Sequence, residues 1–144
     1  MNELLPLAQA QLREGHYTCV LTDGHTVLIA TDRGIKPLRN WLQSERKFQD
    51  FVAADRVVGK AAAFLYVLMG VRAVYAEIVS APAAAVLRRD GMDLSYGTRV
   101  DAIRNRTGDG FCPMESAVWS IDSPEEALTA IEKTYQTLTK KEVL

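Results

Sequence analysis

The sequence predicts an α/β fold, a three-layer α/β/α arrangement in which helices cover both faces of a mixed sheet. Two β-branched runs, YTCVLT and HTVLIAT, flank Asp23-Gly24, a pattern typical of an N-terminal antiparallel hairpin. After residue 55, helical and strand patterns alternate, which predicts parallel strands joined by right-handed crossovers. The chain has 144 residues and no internal repeat or long linker, so these elements are expected to form one domain over residues 1–144.

The first half of the chain carries a helix, the hairpin and a second helix. Apolar residues at near-helical spacing predict a helix over residues 3–14, with Gly15 as its end. A two-residue loop in the hairpin pairs Thr22 with His25 and Cys19 with Leu28. Residues 37–43 are expected to form a short helix, and the polar residues 44–50 an exposed connection.

The segment DRVVGKAAAFLYVLMG, residues 55–70, predicts a central helix that is buried because it is apolar nearly all round. Asp55 is the expected N-cap and Gly70 the expected C-cap. Residues 71–80 then predict a strand, residues 82–89 a helix, residues 92–97 a short strand and residues 98–105 a helix or turn. A docked amphipathic helix over residues 123–138 completes the fold.

Charge and composition narrow the class of protein. The chain has 17 basic and 18 acidic residues, and a net charge of −1 supplies no general field for nucleic acid or an anionic membrane. The longest apolar run, from Ala61 to Gly70, is about half the roughly 20 residues that a membrane span needs, and the N-terminus lacks the basic start of a signal peptide. We therefore expect a cytoplasmic protein with two reduced cysteines and with neither nucleic acid nor a membrane as partner.

The first candidate site is CPME, residues 112–115, which has the same pattern as the capping box SPEE at residues 123–126. In one interpretation the helix N-terminus stabilises a Cys112 thiolate and makes it a nucleophile. In the other, Cys112 is a buried thiol of convenient size and Glu115 only caps the helix. A nucleophilic cysteine usually needs a histidine as its base. The chain has two histidines, His16 and His25, and no pattern in the sequence places either of them near Cys112.

The other candidate sites involve basic residues and a serine. Arg56 and Lys60 lie four residues apart at the start of the predicted central helix, where they would suit a phosphate or carboxylate. Alternatively, Gly59 serves close helix packing and Lys60 extends to solvent. Ser80, at a strand-to-helix junction, is either a ligand contact or an N-cap. A fourth candidate is a basic set that either clamps an anion or covers a solvated face: Arg99, Arg104 and Arg106.

Five segments carry a resemblance to a known family: GIKPL from residue 34, ADRVVGKAAA from 54, VYAEIVSAPA from 74, RNRTGDGFCPME, and SIDSPEEAL. Together they resemble the domain-of-unknown-function family 1893, over about residues 17–131. The fold of that family is similar to that of the cytidine deaminases, so the resemblance implies a cytidine deaminase-like arrangement of three layers. The family has no established activity. The resemblance therefore predicts the fold of this chain but does not predict a reaction.

The resemblance also excludes one chemistry. Zinc deaminases carry His-x-Glu or Cys-x-Glu at the start of one helix and Pro-Cys-x-x-Cys at the start of the next. The resemblance places those positions near Asp55 and Pro82, where this chain has neither histidine nor cysteine. Since catalytic zinc needs three protein ligands, we expect no metal, no cofactor and no zinc-dependent deamination.

The leading hypothesis is a metal-free, deaminase-like domain that binds a small anionic or nucleotide-like ligand where three predicted helix starts converge. Its candidate ligand-binding residues are Arg56, Lys60, Ser80 and Arg106. An alternative is a Cys112-dependent enzyme or redox-active thiol protein, for which the candidate catalytic residues are Cys112, Glu115 and Asp55. A third hypothesis is a regulatory or oligomerisation module, and it leaves a homo-oligomer open.

Overall fold

A five-stranded mixed sheet forms the centre of the chain. Its strands are β1 (Cys19–Thr22), β2 (Val27–Ala30), β3 (Val52–Val58), β4 (Ala73–Ser80) and β5 (Asp93–Val100). They lie in the order β2-β1-β3-β4-β5, with β1 antiparallel to both neighbours and β3, β4 and β5 parallel. This computed structural model describes residues 4–32, 34–104, 108 and 110–143.

The helices cover the two faces of the sheet unequally. They are α1 (Leu4–Glu14), α2 (Lys36–Gln43), α3 (Lys60–Met69), α4 (Ala81–Arg89), α5 (Pro113–Val118) and α6 (Pro124–Val143). On one face, α1 packs Leu5, Ala8 and Leu12 against strands β1, β3 and β4. The larger core, on the other face, contains residues from each of the other five helices. The prediction of an α/β fold with helices on both faces of a mixed sheet is confirmed.

The central helix begins four residues later than the sequence predicts, because its N-cap is Gly59, and the prediction of Asp55 as its N-cap is wrong. Asp55 lies in the middle of β3, paired with Cys19 on one side and with Ala76 on the other. Gly59 is the N-cap of α3, and Gly70 ends the helix as expected, with a left-handed φ of 79°. Residues 52–58 form a strand because β1 and β4 flank them, and hydrogen-bonded pairing on both sides outweighs the local helical pattern.

The hairpin register is also wrong, by two residues, since Thr22 pairs with Val27 and Cys19 with Ala30. The Asp23 carboxylate accepts hydrogen bonds from the backbone N–H groups of His25 (2.9 Å) and Thr26 (2.7 Å). These local bonds stabilise a four-residue loop over residues 23–26 in place of the expected two-residue turn. A shift of two leaves every side chain on its predicted face.

The segment after Met92 forms more strand than expected. β5 continues to Val100, which pairs with Ser80, so the helix or turn predicted over residues 98–105 is wrong for residues 98–100. Parallel pairing with all of β4 extends the strand. Of the predicted exposed connection over residues 44–50, all but the buried Phe48 lie at the surface.

Candidate functional site

Three helices begin close together beyond the carboxyl ends of β3 and β4. α3 follows β3 after the single residue Gly59, and α4 follows β4 directly, with Ser80 as its N-cap. Glu115, in the first turn of α5, reaches α3, where its Oε1 accepts a hydrogen bond from the Ala61 N–H at 3.3 Å. Ligands of α/β folds collect at this end of a parallel sheet, so this region is the candidate site.

Glu115 caps a helix other than its own. Only 2% of the residue is exposed, and its carboxylate lies against the first turn of α3. The capping box with Cys112 is therefore wrong; the Cys112 N–H donates instead to the Ile103 carbonyl at 3.1 Å. The physical reason is that α3 starts with free N–H groups and no side-chain cap of its own, and the positive end of its dipole attracts the carboxylate.

Gly59 makes this contact sterically accessible. A Cβ atom at position 59 would lie 2.5 Å from Oε1 of Glu115 and 3.1 Å from Cγ1 of Ile103. Its backbone is extended, with φ of −94° and ψ of −179°, so any residue could adopt it. The space for the carboxylate, and not the conformation, requires glycine here.

The second oxygen of Glu115 has no hydrogen-bond partner among the described residues. Oε2 is buried, and the Ser80 hydroxyl, although close enough to the carboxyl group to lower its pKa, forms no hydrogen bond with Oε2. Burial raises the pKa of Glu115, while the N–H groups of Ala61 and Lys60, the Lys60 ammonium and the Ser80 hydroxyl lower it by less. The carboxyl group is thus able to accept a hydrogen bond from a bound group or to hold a proton.

Lys60 and Ser80 belong to this site, but each already has a structural partner. The Lys60 ammonium donates to the Trp119 carbonyl at 2.8 Å, and only 6% of the residue is exposed. The Ser80 hydroxyl accepts from the Ala83 N–H at 3.2 Å, which confirms it as the N-cap of α4. The sequence predicts that Lys60 either binds an anion or extends to solvent. In the structure its ammonium is buried and already bound to a carbonyl group.

Arg56 does not share a helix face with Lys60, and that prediction is wrong because residue 56 lies in β3. Its guanidinium donates to the Leu12 carbonyl (2.8 Å), to the Tyr17 carbonyl (2.9 Å) and to both oxygens of Glu77 (2.9 and 3.0 Å). Arg56 therefore ties the end of α1 to the sheet, and it is not available as an anion clamp at the candidate site.

Cys112 lies beside the site, at the start of α5, and packs against the larger core. It is the N-cap of α5, makes no side-chain capping hydrogen bond and is partly buried. Both His16 and His25 are exposed, and His25 lies in the hairpin loop, at the opposite end of β3. Arg106 lies outside the described residues.

Asp55 belongs to a buried cluster within the core, away from the helix starts. Its Oδ2 accepts a hydrogen bond from the Tyr66 hydroxyl at 2.6 Å, and that hydroxyl lies 3.1 Å from the Cys19 sulfur. Burial raises the pKa of Asp55 to about 6 and also raises the pKa values of Tyr66 and Cys19. A tyrosine inside an apolar helix needs a partner for its hydroxyl, and this signal in the sequence could have pointed to Asp55.

Two further findings concern metals and membranes. Among residues 4–32, 34–104, 108 and 110–143, no three or more His, Cys, Asp and Glu side chains are grouped to hold a metal ion. No helix in the described part of the chain has the length and apolar character to cross a membrane.

Asp55→Asn is expected to remove a pH-dependent loss of stability. The pKa of Asp55 is raised from 3.8 to about 6 on folding, so its contribution to stability is full below pH 3.8 and is lost as the pH rises through about 6. We expect the free energy of unfolding of the native chain, relative to the variant, to fall by about 3 kcal/mol between about pH 4 and about pH 8. Urea denaturation at the two pH values measures this difference, in which the other carboxyl groups cancel. An equal difference at both values contradicts the prediction.

Gly59→Ala is expected to destabilise the chain by about 1–3 kcal/mol, because the added methyl group displaces the Glu115 carboxylate. The matched control is the same substitution in a Glu115→Ala background, where the nearest clash is absent and the cost should fall by at least about half. Urea denaturation of the four proteins gives the coupling energy. If Gly59→Ala costs the same in both backgrounds, the close contact with Glu115 is not what requires glycine.

Comparison with known proteins identifies relatives by sequence and by fold. The profile of the family described as Domain of unknown function (DUF1893) matches residues 7–135. The crystal structure of a DUF1893 family protein from Thermotoga maritima, at 2.70 Å resolution, is similar to this chain with a TM-score of 0.87. The two chains are 24% identical, and the similarity covers 92% of this chain and 90% of that one. No curated protein matches the sequence.

Proposed function

The chain belongs to the DUF1893 family, and on that premise we propose that it binds a small molecule carrying an N–H donor at the carboxyl ends of β3 and β4. The observation that carries the proposal is Oε2 of Glu115, a buried acceptor without a partner among the described residues. An unsatisfied buried acceptor costs about 1–3 kcal/mol, and a ligand that donates a hydrogen bond to it recovers this free energy.

The occupied groups of the site favour a donor over the anion expected from the sequence. The N–H groups at the start of α3, which would bind an anion, face the Glu115 carboxylate. The Lys60 ammonium is bound to the Trp119 carbonyl. An anion would have to displace one of these contacts and approach a carboxylate of like charge. An amidine or an amino-heterocycle would instead donate to Oε2, a buried acceptor that has no partner among the described residues.

The residue types at the two strand ends support a site without zinc. In a deaminase-like arrangement the metal ligands stand at the starts of two successive helices, and here those starts are Gly59-Lys60 and Ser80-Ala81-Pro82. None of these side chains is a usual zinc ligand. Glu115 and Ser80 are left as the polar groups that would orient a ligand.

The proposal is tested with two ligands of matched shape and opposite hydrogen-bonding character, benzamidine and benzoate. Benzamidine is expected to raise the melting temperature of the chain in a thermal-shift titration, and benzoate is not, because only benzamidine donates to Glu115. Glu115→Gln should weaken benzamidine binding by roughly tenfold or more, since it replaces a charge-assisted hydrogen bond. Glu126→Gln makes the same change of charge at an exposed residue of α6 and serves as the control. Equal binding by the two variants, or by the two ligands, rejects the proposal.

A second candidate function is thiol chemistry at Cys112. It is favoured by one contrast: Cys112 is a partly buried residue whose side chain makes no capping hydrogen bond, whereas Cys19 is buried and its sulfur lies against the Tyr66 hydroxyl. A nucleophilic Cys112 should react with iodoacetamide at least about tenfold faster than the same thiol in the urea-unfolded chain at about pH 7, as expected of a stabilised thiolate. Cys112→Ser supplies the background rate. A folded chain that reacts no faster than the unfolded chain excludes this function.

A further inference from the structure

Arg104, Phe111 and Trp119 form an exposed stack next to the candidate site. The rings of Phe111 and Trp119 lie 5.1 Å apart between centroids and are inclined by only 14°. The Arg104 guanidinium lies 5.2 Å from the centroid of the Phe111 ring. Both aromatic residues are 42% exposed, although large aromatic side chains are mostly buried in folded proteins. We call these three residues the aromatic stack.

The aromatic stack and Glu115 are joined through α5. Trp119, the C-cap of α5, follows Glu115 by four residues, which is about one helical turn. The Trp119 carbonyl binds the Lys60 ammonium, which fixes the end of α5 to the start of α3. A backbone bridge between Arg104 and Phe111 holds the other end of the aromatic stack. Stack and acceptor therefore lie at the same end of the sheet.

The aromatic stack offers two kinds of contact. One face of the Trp119 indole lies against Phe111, and because 42% of the residue is exposed, the indole still offers ring surface to a planar group. The Arg104 guanidinium is bound to an aromatic ring, and within the described part of the chain it has no carboxylate partner. Its N–H groups remain suited to a phosphate.

We infer that the ligand of this site is a nucleotide. Its base stacks on Trp119, its phosphate binds Arg104, and an N–H group on the edge of its base donates to Oε2 of Glu115. A nucleotide combines these three features in one small molecule: a planar ring, an anion at one end and a hydrogen-bond donor on the ring. The inference rests on the proposed function for the contact with Glu115, while the aromatic stack is an independent observation.

The experiment is isothermal titration of the full chain with AMP, adenosine and ribose 5-phosphate. AMP should bind most tightly, adenosine should lose roughly tenfold with the phosphate contact, and ribose 5-phosphate should lose at least as much with the stacking contact. Trp119→Leu keeps apolar volume without a ring and should weaken AMP by roughly tenfold, whereas it should leave ribose 5-phosphate unchanged. Arg104→Gln should weaken AMP and not adenosine, with Arg88→Gln, an exposed arginine of α4, as control.

A spectroscopic measurement keeps the test valid if a variant fails to fold. The chain has two tryptophans, at positions 41 and 119, so Trp41→Phe leaves Trp119 as the single indole. Stacking of AMP on Trp119 should quench the fluorescence of this variant at the concentrations that the titration gives. AMP binding without quenching overturns the inference.

The possible outcomes separate the inference from the proposed function. Suppose that Glu115→Gln abolishes AMP binding, whereas Trp119→Leu and Arg104→Gln leave it unchanged. This result overturns the inference of a nucleotide site and supports the proposed site for an N–H donor. AMP binding that needs Trp119 and Arg104, but not Glu115, supports the stack as a nucleotide site and rejects the proposed function. Benzamidine binding with no response to AMP, CMP, GMP or UMP overturns the inference alone. A chain that binds an oligonucleotide at least tenfold more tightly than AMP is a nucleic-acid binder, and this also overturns it.

Discussion

The contact of Glu115 with the start of α3 is the constraint on which the rest of the site depends. α3 has no side-chain cap of its own, and α5 supplies one from more than fifty residues along the chain. The contact needs Gly59, because a Cβ atom there would collide with the carboxylate. It brings the short helix α5 onto the central helix, and the Lys60–Trp119 hydrogen bond secures the far end of α5 in the same place.

This arrangement decides which chemistry the carboxyl end of the sheet can offer. A helix start with a nearby lysine is ordinarily an anion site, and here the protein's own carboxylate and carbonyl fill it. Within the described part of the chain, Oε2 of Glu115 is the acceptor at this end of the sheet that has no partner, and burial raises the pKa of its carboxyl group. The proposed donor ligand follows from this acceptor, and the aromatic stack beside it suggests the class of molecule.

A second set of buried polar groups lies in the core, away from the candidate site. Asp55, Tyr66 and Cys19 bond to one another between the sheet and α3, where burial raises the pKa of each. Asp55 and Glu115, two carboxyl groups whose pKa values burial raises, thus differ in their surroundings. Asp55 is enclosed by its partners, whereas Oε2 of Glu115 has no partner among the described residues. The sequence predicts both at one site because its local pattern favours a central helix that begins at Asp55.

The class of fold, the presence of the hairpin and the ends of several helices follow from the amino-acid sequence alone. Local chemistry is sufficient for these: alternating patterns, glycine at a left-handed φ at Gly70, and a serine cap at Ser80 all act between near neighbours. The sequence also predicted Lys60 and Ser80 as ligand-binding residues and, in a separate hypothesis, Glu115 as a catalytic residue. Tertiary structure alone decided that residues 52–58 form a strand, that Arg56 faces α1, and that Glu115 caps α3. Each of these features depends on a partner far along the chain. Contacts between such distant groups outweigh the intrinsic helix or strand propensity, which is worth at most about 1 kcal/mol per residue.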